Sequence, residues 1–362
     1  MEAQSRAMAP SILRKLLGRA GGDDAPRGES FSLPGQLAPG SRVLLIASGD
    51  LTDLLFAMPL IEALRDQIDG VHLGLVCDER TGQLVLSTEL FDDAIVVEDD
   101  QLSPEAESSG ELAAVLTEDE WDAAILLSAT PDPVRARLAG LSRARLRLGA
   151  GHEGAFPHLN CEVRPPSGNG YPYERTRTWA QLLGLDPVAD SRLKWTPDDK
   201  RARQMAQLIH FNKPRKEQKL IGIDPGTGKA GARIAIASLA LIADHISRSI
   251  PSKSIVLSAD QDELLVEEFE GLLSQPALDL ARPTLMEMVL FLYQCELFLC
   301  CNSDLMHIAV AMDIPTVAFF TPEDGSSWVP DRARRLRIIR PEAGADLDLA
   351  DLMEQVVSVL SA

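Results

Sequence analysis

CELFLCCNSDLMHIAVAMDIPTVAFFTPEDGSSWVP, residues 295–330, decides the fold. Residues 297–301 are an unbroken apolar run, as expected of a strand buried on both faces. Asn302 and Ser303 make a polar turn, residues 304–312 carry a helical pattern, and residues 315–320 are a second apolar strand. A buried strand, a helix and a second buried strand predict one parallel βαβ unit.

The same alternation extends upstream. LIGIDP, residues 220–225, predicts a strand running into the glycine-rich loop PGTGKAGAR, residues 225–233. Helices are expected over 236–248, 263–274 and 286–294, and a strand over 254–259. LRII at 336–339 closes this sheet, and an amphipathic helix ends the chain. The first half shows the pattern independently. Strands are predicted over 43–47, 71–77, 93–97, 122–128 and near 144–148. Helices are predicted over 53–67, within 134–143 and over 173–183, with Gly184 as the stop. Residues 98–112 and 151–172 read as loops. The fold class is therefore α/β: two Rossmann-like domains with parallel sheets, their facing cleft being the default ligand site. The expected organisation is a flexible leader (1–40), a first domain (41–186), a linker (187–200), a second domain (201–345) and a C-terminal helix (346–362).

Composition narrows the function. The formal net charge of -19 repels phosphate backbones, so no nucleic-acid partner is expected. A small anionic ligand is not excluded, because backbone amides and one or two cations can hold it. The five cysteines, Cys77, Cys161, Cys295, Cys300 and Cys301, have no zinc-site spacing and read as buried free thiols. No stretch approaches the ~18 apolar residues of a membrane span, and the N-terminus lacks a signal-peptide core. A cytoplasmic location is expected. Residues 11–19, SILRKLLGR, read either as a basic helix in weak contact with the inner face of an anionic membrane, or as a solvated tail or a short helix docked on the body.

Three segments in order resemble glycosyltransferase family 9, the group of the lipopolysaccharide heptosyltransferases: LTDLLFAMPLIEALR (residues 51–65), IGIDPGTGKAGAR (residues 221–233) and the opening stretch above. The likeness spans roughly residues 41–345. It implies a GT-B fold, an N-terminal acceptor domain and a C-terminal nucleotide-sugar domain. It implies an inverting, metal-independent transferase with no cofactor beyond its nucleoside diphosphate sugar. That enzyme would move a sugar, heptose among the candidates, to a bacterial glycan or glycolipid.

The resemblance also distributes roles. Asp53 matches the family's general base by its spacing to the LLFAMPL run; an Asp before an apolar helix is equally a capping residue. Asp50 is the rival base, at the cost of a three-residue shift. Gly226, Thr227, Gly228 and Lys229 suit diphosphate contact, and Arg233 stands where the family carries a basic residue; the other reading is an ordinary flexible loop with solvated cations. Asn302, Ser303 and Asp304 occupy the family's phosphate turn. His307, one turn into the next helix, either contacts the donor or braces the loop. Glu323, Asp324 and Trp328 either line the nucleotide end or form a capped loop.

The pattern also departs from the family. Thr52 replaces a glycine, and Ala47 and Asp50 stand where the family commonly has Arg and Ser. The family's Asp-Ser-Gly reads Asn302-Ser303-Asp304, its Gly-Gly-rich stretch reads Ser258-Ala259-Asp260, and Ala232 lacks a basic side chain. Glycine lets backbone amides close on a phosphate, whereas an Asp adds bulk and charge. Two like charges ~4 Å apart cost about 1 kcal/mol even in water. These changes cluster at the donor motifs, so a catalytically inactive binding or scaffolding protein is the alternative. A dinucleotide oxidoreductase is disfavoured, since no G-x-G-x-x-G follows the first strand.

Overall fold

A computed structural model describes residues 33, 35, 37–47, 51–85, 90–98, 109–128, 131–163, 172–187, 199–212, 217–226, 228, 233–258, 263–278, 283–324, 335–341 and 348–362. Residues 11–19, which read as a helix or as a solvated tail, and most of the expected linker lie outside these residues. The chain divides into two compact units.

The first unit is built on six parallel strands: β1 (Arg42–Ile46), β2 (His72–Cys77), β3 (Asp93–Val96), β4 (Ala123–Leu126), β5 (Leu146–Ala150) and β6 (Cys161–Val163). Their order is β3-β2-β1-β4-β5-β6. This is the doubly wound arrangement, with its switch point between β1 and β4. Beyond Arg42 at the start of β1, the central strands β1 and β4 are apolar throughout for a physical reason. Val43, Leu44, Leu45 and Ile46, like all four residues of β4, are 0% exposed, so neither face of the sheet meets water at these two strands. Each large aliphatic side chain buried this way contributes about 1.5–3 kcal/mol.

Helices α1 (Leu51–Phe56) and α2 (Met58–Gln67) follow β1; Ala57 separates them and Pro59 lies in the first turn of α2. Trp121 lies across β2 where Gly74 leaves room for its ring, and its indole nitrogen donates to Leu116 O at 3.1 Å. Helix α3 (Glu79–Val85) follows β2, and α4 (Ser109–Glu118) begins inside the segment expected to be loop. The short strand β6 likewise lies within residues read as loop. It pairs with β5, and the guanidinium of Arg147 braces its approach by donating to His158 O (2.9 Å), Pro157 O (3.0 Å) and Ala144 O (2.8 Å). Helix α5 (Pro133–Leu141) starts at Asp132, whose carboxylate accepts from Arg135 N at 3.0 Å. Helix α6 is Pro172–Leu182.

The second unit carries helix α7 (Asp199–Asn212) and five parallel strands: β7 (Lys219–Ile223), β8 (Ser252–Val256), β9 (Leu297–Cys300), β10 (Thr316–Phe319) and β11 (Leu336–Ile339). The order β11-β10-β9-β7-β8 puts the switch point between β7 and β9. Helix α8 (Ile236–Ser249) presents Ile236, Leu239, Ile242 and Ile246 to the core at helical spacing. Helices α9 (Glu263–Leu272), α10 (Leu285–Tyr293) and α11 (Asp304–Ala311) complete the wrapping. A reciprocal capping box starts α10: Thr284 N donates to Glu287 Oε2 at 2.8 Å, and Glu287 N donates to Thr284 Oγ1 at 3.3 Å. The C-terminal helix α12 (Leu349–Ser361) is part of this unit's core, where Leu352, Val356 and Val359 are buried.

Candidate functional site

In a doubly wound sheet, ligands bind outside the carboxyl ends of the strands at the switch point. In the second unit that place is where the chain leaves β7 and β9. Ile223 sits opposite Leu299, so Asp224 emerges from β7 beside the end of β9. Its carboxylate joins the two exits. Ser303 Oγ donates to Asp224 Oδ2 at 2.7 Å, and Gly226 N donates to Asp224 Oδ1 at 2.9 Å. The second bond is an Asx-type turn, which Asp two residues before glycine is suited to make. Ser303 also caps α11, its hydroxyl accepting from Met306 N at 3.4 Å.

A second buried network lies alongside. Asn302 is 0% exposed; its Nδ2 donates to Asp324 Oδ1 at 3.1 Å, and its Oδ1 lies 3.1 Å from His307 Nε2. Asp324 follows β10 in a short 3-10 turn, where Oδ2 accepts from Thr321 N (2.8 Å) and Thr321 Oγ1 (3.1 Å). His307, 3% exposed, therefore braces the turn through Asn302. Asp304 is the first residue of α11 and half-buried.

Arg233 serves the same edge of the sheet. It is half-buried, and its Nη1 donates to Ile234 O at 3.3 Å. Cys301, at the exit of β9, registers these charges together. Burial pushes its thiol up to about 11, with Asp224 and Asp324 adding to the rise, while the Ile234 amide and the Arg233 guanidinium oppose it. The thiol of Cys300, fully buried next to it, is pushed up by burial and by Asp224. None of the five cysteines is in a disulfide.

The structure thus brings together Gly226, Arg233, Asn302, Ser303, Asp304 and His307 from the expected donor set. Gly228 is buried on the same loop. Thr227 and Lys229 lie outside the described residues, as do Asp50, Trp328 and the side chain of Glu323. Asp224 was missed. Its one signal in the sequence was an Asp two positions ahead of a glycine at a strand end.

Asp53 lies in the first unit, in the first turn of α1 after β1, at that sheet's own switch point. The helix begins at Leu51, so Asp53 is an intrahelical residue and not the N-cap. Its flanking residues Thr52 and Leu54 are buried, while Asp53 itself is partly open to solvent. Among the described residues no cluster of three or more His, Cys, Asp or Glu is placed to hold a metal ion. No described helix is long and apolar enough to cross a membrane.

Solved structures share this architecture over nearly their whole length. A family 9 glycosyl transferase from Veillonella parvula superposes with a TM-score of 0.78 at 18% identity, over 89% of this chain and 98% of that one. The E. coli ADP-heptose lipopolysaccharide heptosyltransferase II gives 0.71 at 18% identity, over 88% and 98%. E. coli heptosyltransferase WaaC with ADP gives 0.67 at 15% identity, over 88% and 99%. Two parallel-sheet α/β domains of this kind define the GT-B class of glycosyltransferases. No curated protein sequence matches the chain. The family model of glycosyltransferase family 9 (heptosyltransferase) matches residues 113–355, well over half of the chain, and the protein belongs to that family.

Proposed function

We propose that this glycosyltransferase moves a sugar, with heptose the first candidate, from a nucleoside diphosphate donor to a glycan or glycolipid acceptor, with inversion at the anomeric carbon. The observation that carries the proposal is the convergence at the β7/β9 switch point. There Gly226, Arg233 and the capped start of α11 meet, in a member of family 9. Backbone amides and a guanidinium are the groups that hold a diphosphate. ADP is the nucleotide to try first, since the WaaC structure contains it.

In this reading Asp53 is the general base. It takes the proton of the acceptor hydroxyl as that oxygen attacks the anomeric carbon, and the bond to the diphosphate breaks on the opposite face. Gly226, Thr227, Gly228, Lys229, Arg233 and Ser303 hold the leaving diphosphate, with the Asn302–His307 pair shaping the turn beside it. Neither metal nor cofactor takes part. The protein acts in the cytoplasm, in weak contact with an anionic membrane surface that presents the acceptor.

A second reading, a binding or scaffolding protein without transferase activity, draws on one observation. The hydroxyl proton of Ser303 and the amide proton of Gly226 are already given to Asp224. Calorimetric titration with ADP, UDP and GDP sugars separates the two, run beside Asp53→Ala and Lys229→Ala. Micromolar binding of one donor, lost in Lys229→Ala and kept in Asp53→Ala, supports the transferase. No binding of any nucleotide sugar overturns it in favour of the second reading.

A further inference from the structure

Two polar protons at the carboxyl edge of the second sheet are already committed. Ser303 has one hydroxyl proton, and Asp224 Oδ2 takes it at 2.7 Å. Gly226 has one amide proton, and Asp224 Oδ1 takes it at 2.9 Å. A loop amide and a hydroxyl at a helix start are what an incoming phosphate would use. Neither can serve two acceptors well. Asp224 is only 4% exposed, so its carboxylate sits inside the site and not at its rim.

We propose that Asp224 is an internal anion that sets donor affinity: its carboxylate holds the phosphate seat in the free protein, and a donor phosphate binds by exchange with it. This rests on the donor-site reading above. Binding then becomes a swap of one anion for another, with Ser303 and Gly226 turning from the carboxylate to the phosphate oxygens. The displaced carboxylate stays close by, because Asp224 is anchored by its own amide, which donates to Leu299 O at 2.9 Å. Its repulsion grows with the charge of the guest. A sugar-capped diphosphate carries one negative charge on each phosphorus, whereas a free nucleoside diphosphate carries a second charge on its terminal phosphate. Asp224 therefore disfavours the leaving group of transfer more than the donor, which speeds product departure.

The test uses the full chain, with inorganic pyrophosphate, ADP, UDP, GDP, an ADP-sugar and adenosine as calorimetric probes. Asp224→Asn keeps the shape and removes the charge. It is expected to bind pyrophosphate and the preferred nucleoside diphosphate at least about tenfold more tightly, or about 1.4 kcal/mol. The gain is smaller for the ADP-sugar and absent for adenosine. Asp224→Ser, which removes the charge with a different side chain, gives the same ranking. Adding Ser303→Ala to Asp224→Asn takes back much of the gain, because the released hydroxyl is then missing. If wild type binds a nucleoside diphosphate and both Asp224 variants bind it no better, Asp224 is a structural pin and the proposal is wrong. If no variant binds pyrophosphate or any nucleotide, the donor-site reading fails and the proposal falls with it.

Discussion

Restoring the family's acidic residue at the head of the turn, Asn302→Asp, should weaken this protein. Asn302 and Asp324 are 0% and 1% exposed, and the amide donates to the carboxylate at 3.1 Å. The substitution replaces that donor with a second carboxylate. Two unit charges at this separation repel by about 5 kcal/mol at an effective dielectric constant of about 20. Small shifts of the two side chains relieve part of this. Loss of the hydrogen bond to a buried charged group alone costs about 1.5–3 kcal/mol. A destabilisation of about 3 kcal/mol at neutral pH is the outcome expected. Urea unfolding followed by circular dichroism reads it as a drop in midpoint at constant slope. The pH dependence has a definite sign. Repulsion raises the folded-state pKa of the carboxyl pair above its unfolded value, so the protonated, hydrogen-bonded form is favoured at low pH. The deficit against wild type therefore shrinks as pH falls toward the ordinary carboxylate range. Combining Asn302→Asp with Asp324→Asn should recover most of the loss. The introduced amide then donates to the introduced carboxylate while its oxygen accepts from Thr321. A single variant as stable as wild type at neutral pH, or a double variant no better than the single, would refute the reasoning.

Three further outcomes are expected. Gly74→Ala puts a methyl group into the ring of Trp121, and overpacking of that kind costs about 1–3 kcal/mol; an unchanged unfolding midpoint with unchanged tryptophan emission would count against it. Burial pushes the thiols of Cys77 to about 12 and Cys301 to about 11, from an ordinary value of 9.0. The folded protein therefore keeps protons that the unfolded chain releases, so stability is intact below pH 9 and falls progressively as pH rises toward 11 and 12. Alkaline urea titrations check this, and Cys301→Ser should reduce the slope between about pH 9 and 11, the window its own shift covers. Asp53→Asn should reduce turnover by about 10²–10⁴-fold, the usual worth of general base catalysis, while donor affinity from calorimetry stays within twofold of wild type; a variant that turns over normally removes Asp53 from the base role.

Much of the fold was legible along the chain because its signals are local. Continuous apolar runs such as residues 43–46 and 297–300 mark strands buried on both faces, and the threefold-to-fourfold spacing of Ile236, Leu239, Ile242 and Ile246 marks a helix. Two short elements were not legible. Strand β6 has three residues with one exposed, too few for a period, and it exists because β5 offers an open edge. The start of α4 is written in Ser-Gly-Glu, a composition equally at home in a loop.

The candidate site divides along the same line. The sequence by itself determined the class of fold, the family, and which segments reach the carboxyl edges of the sheets, since strand-turn-helix patterns and motif spacing are properties of consecutive residues. It also picked out Gly226, Arg233, Ser303 and His307 as neighbours of one site. Only the tertiary structure decided what those residues do to one another. Asp224 and Ser303 are 79 positions apart and meet because β9, not β8, lies beside β7 on that side of the sheet. Asn302 finds Asp324 because β10 flanks β9. A hydroxyl or an amide has few protons to give, and which acceptor takes them depends on strand order, a property that hydrophobic periodicity along the chain does not encode.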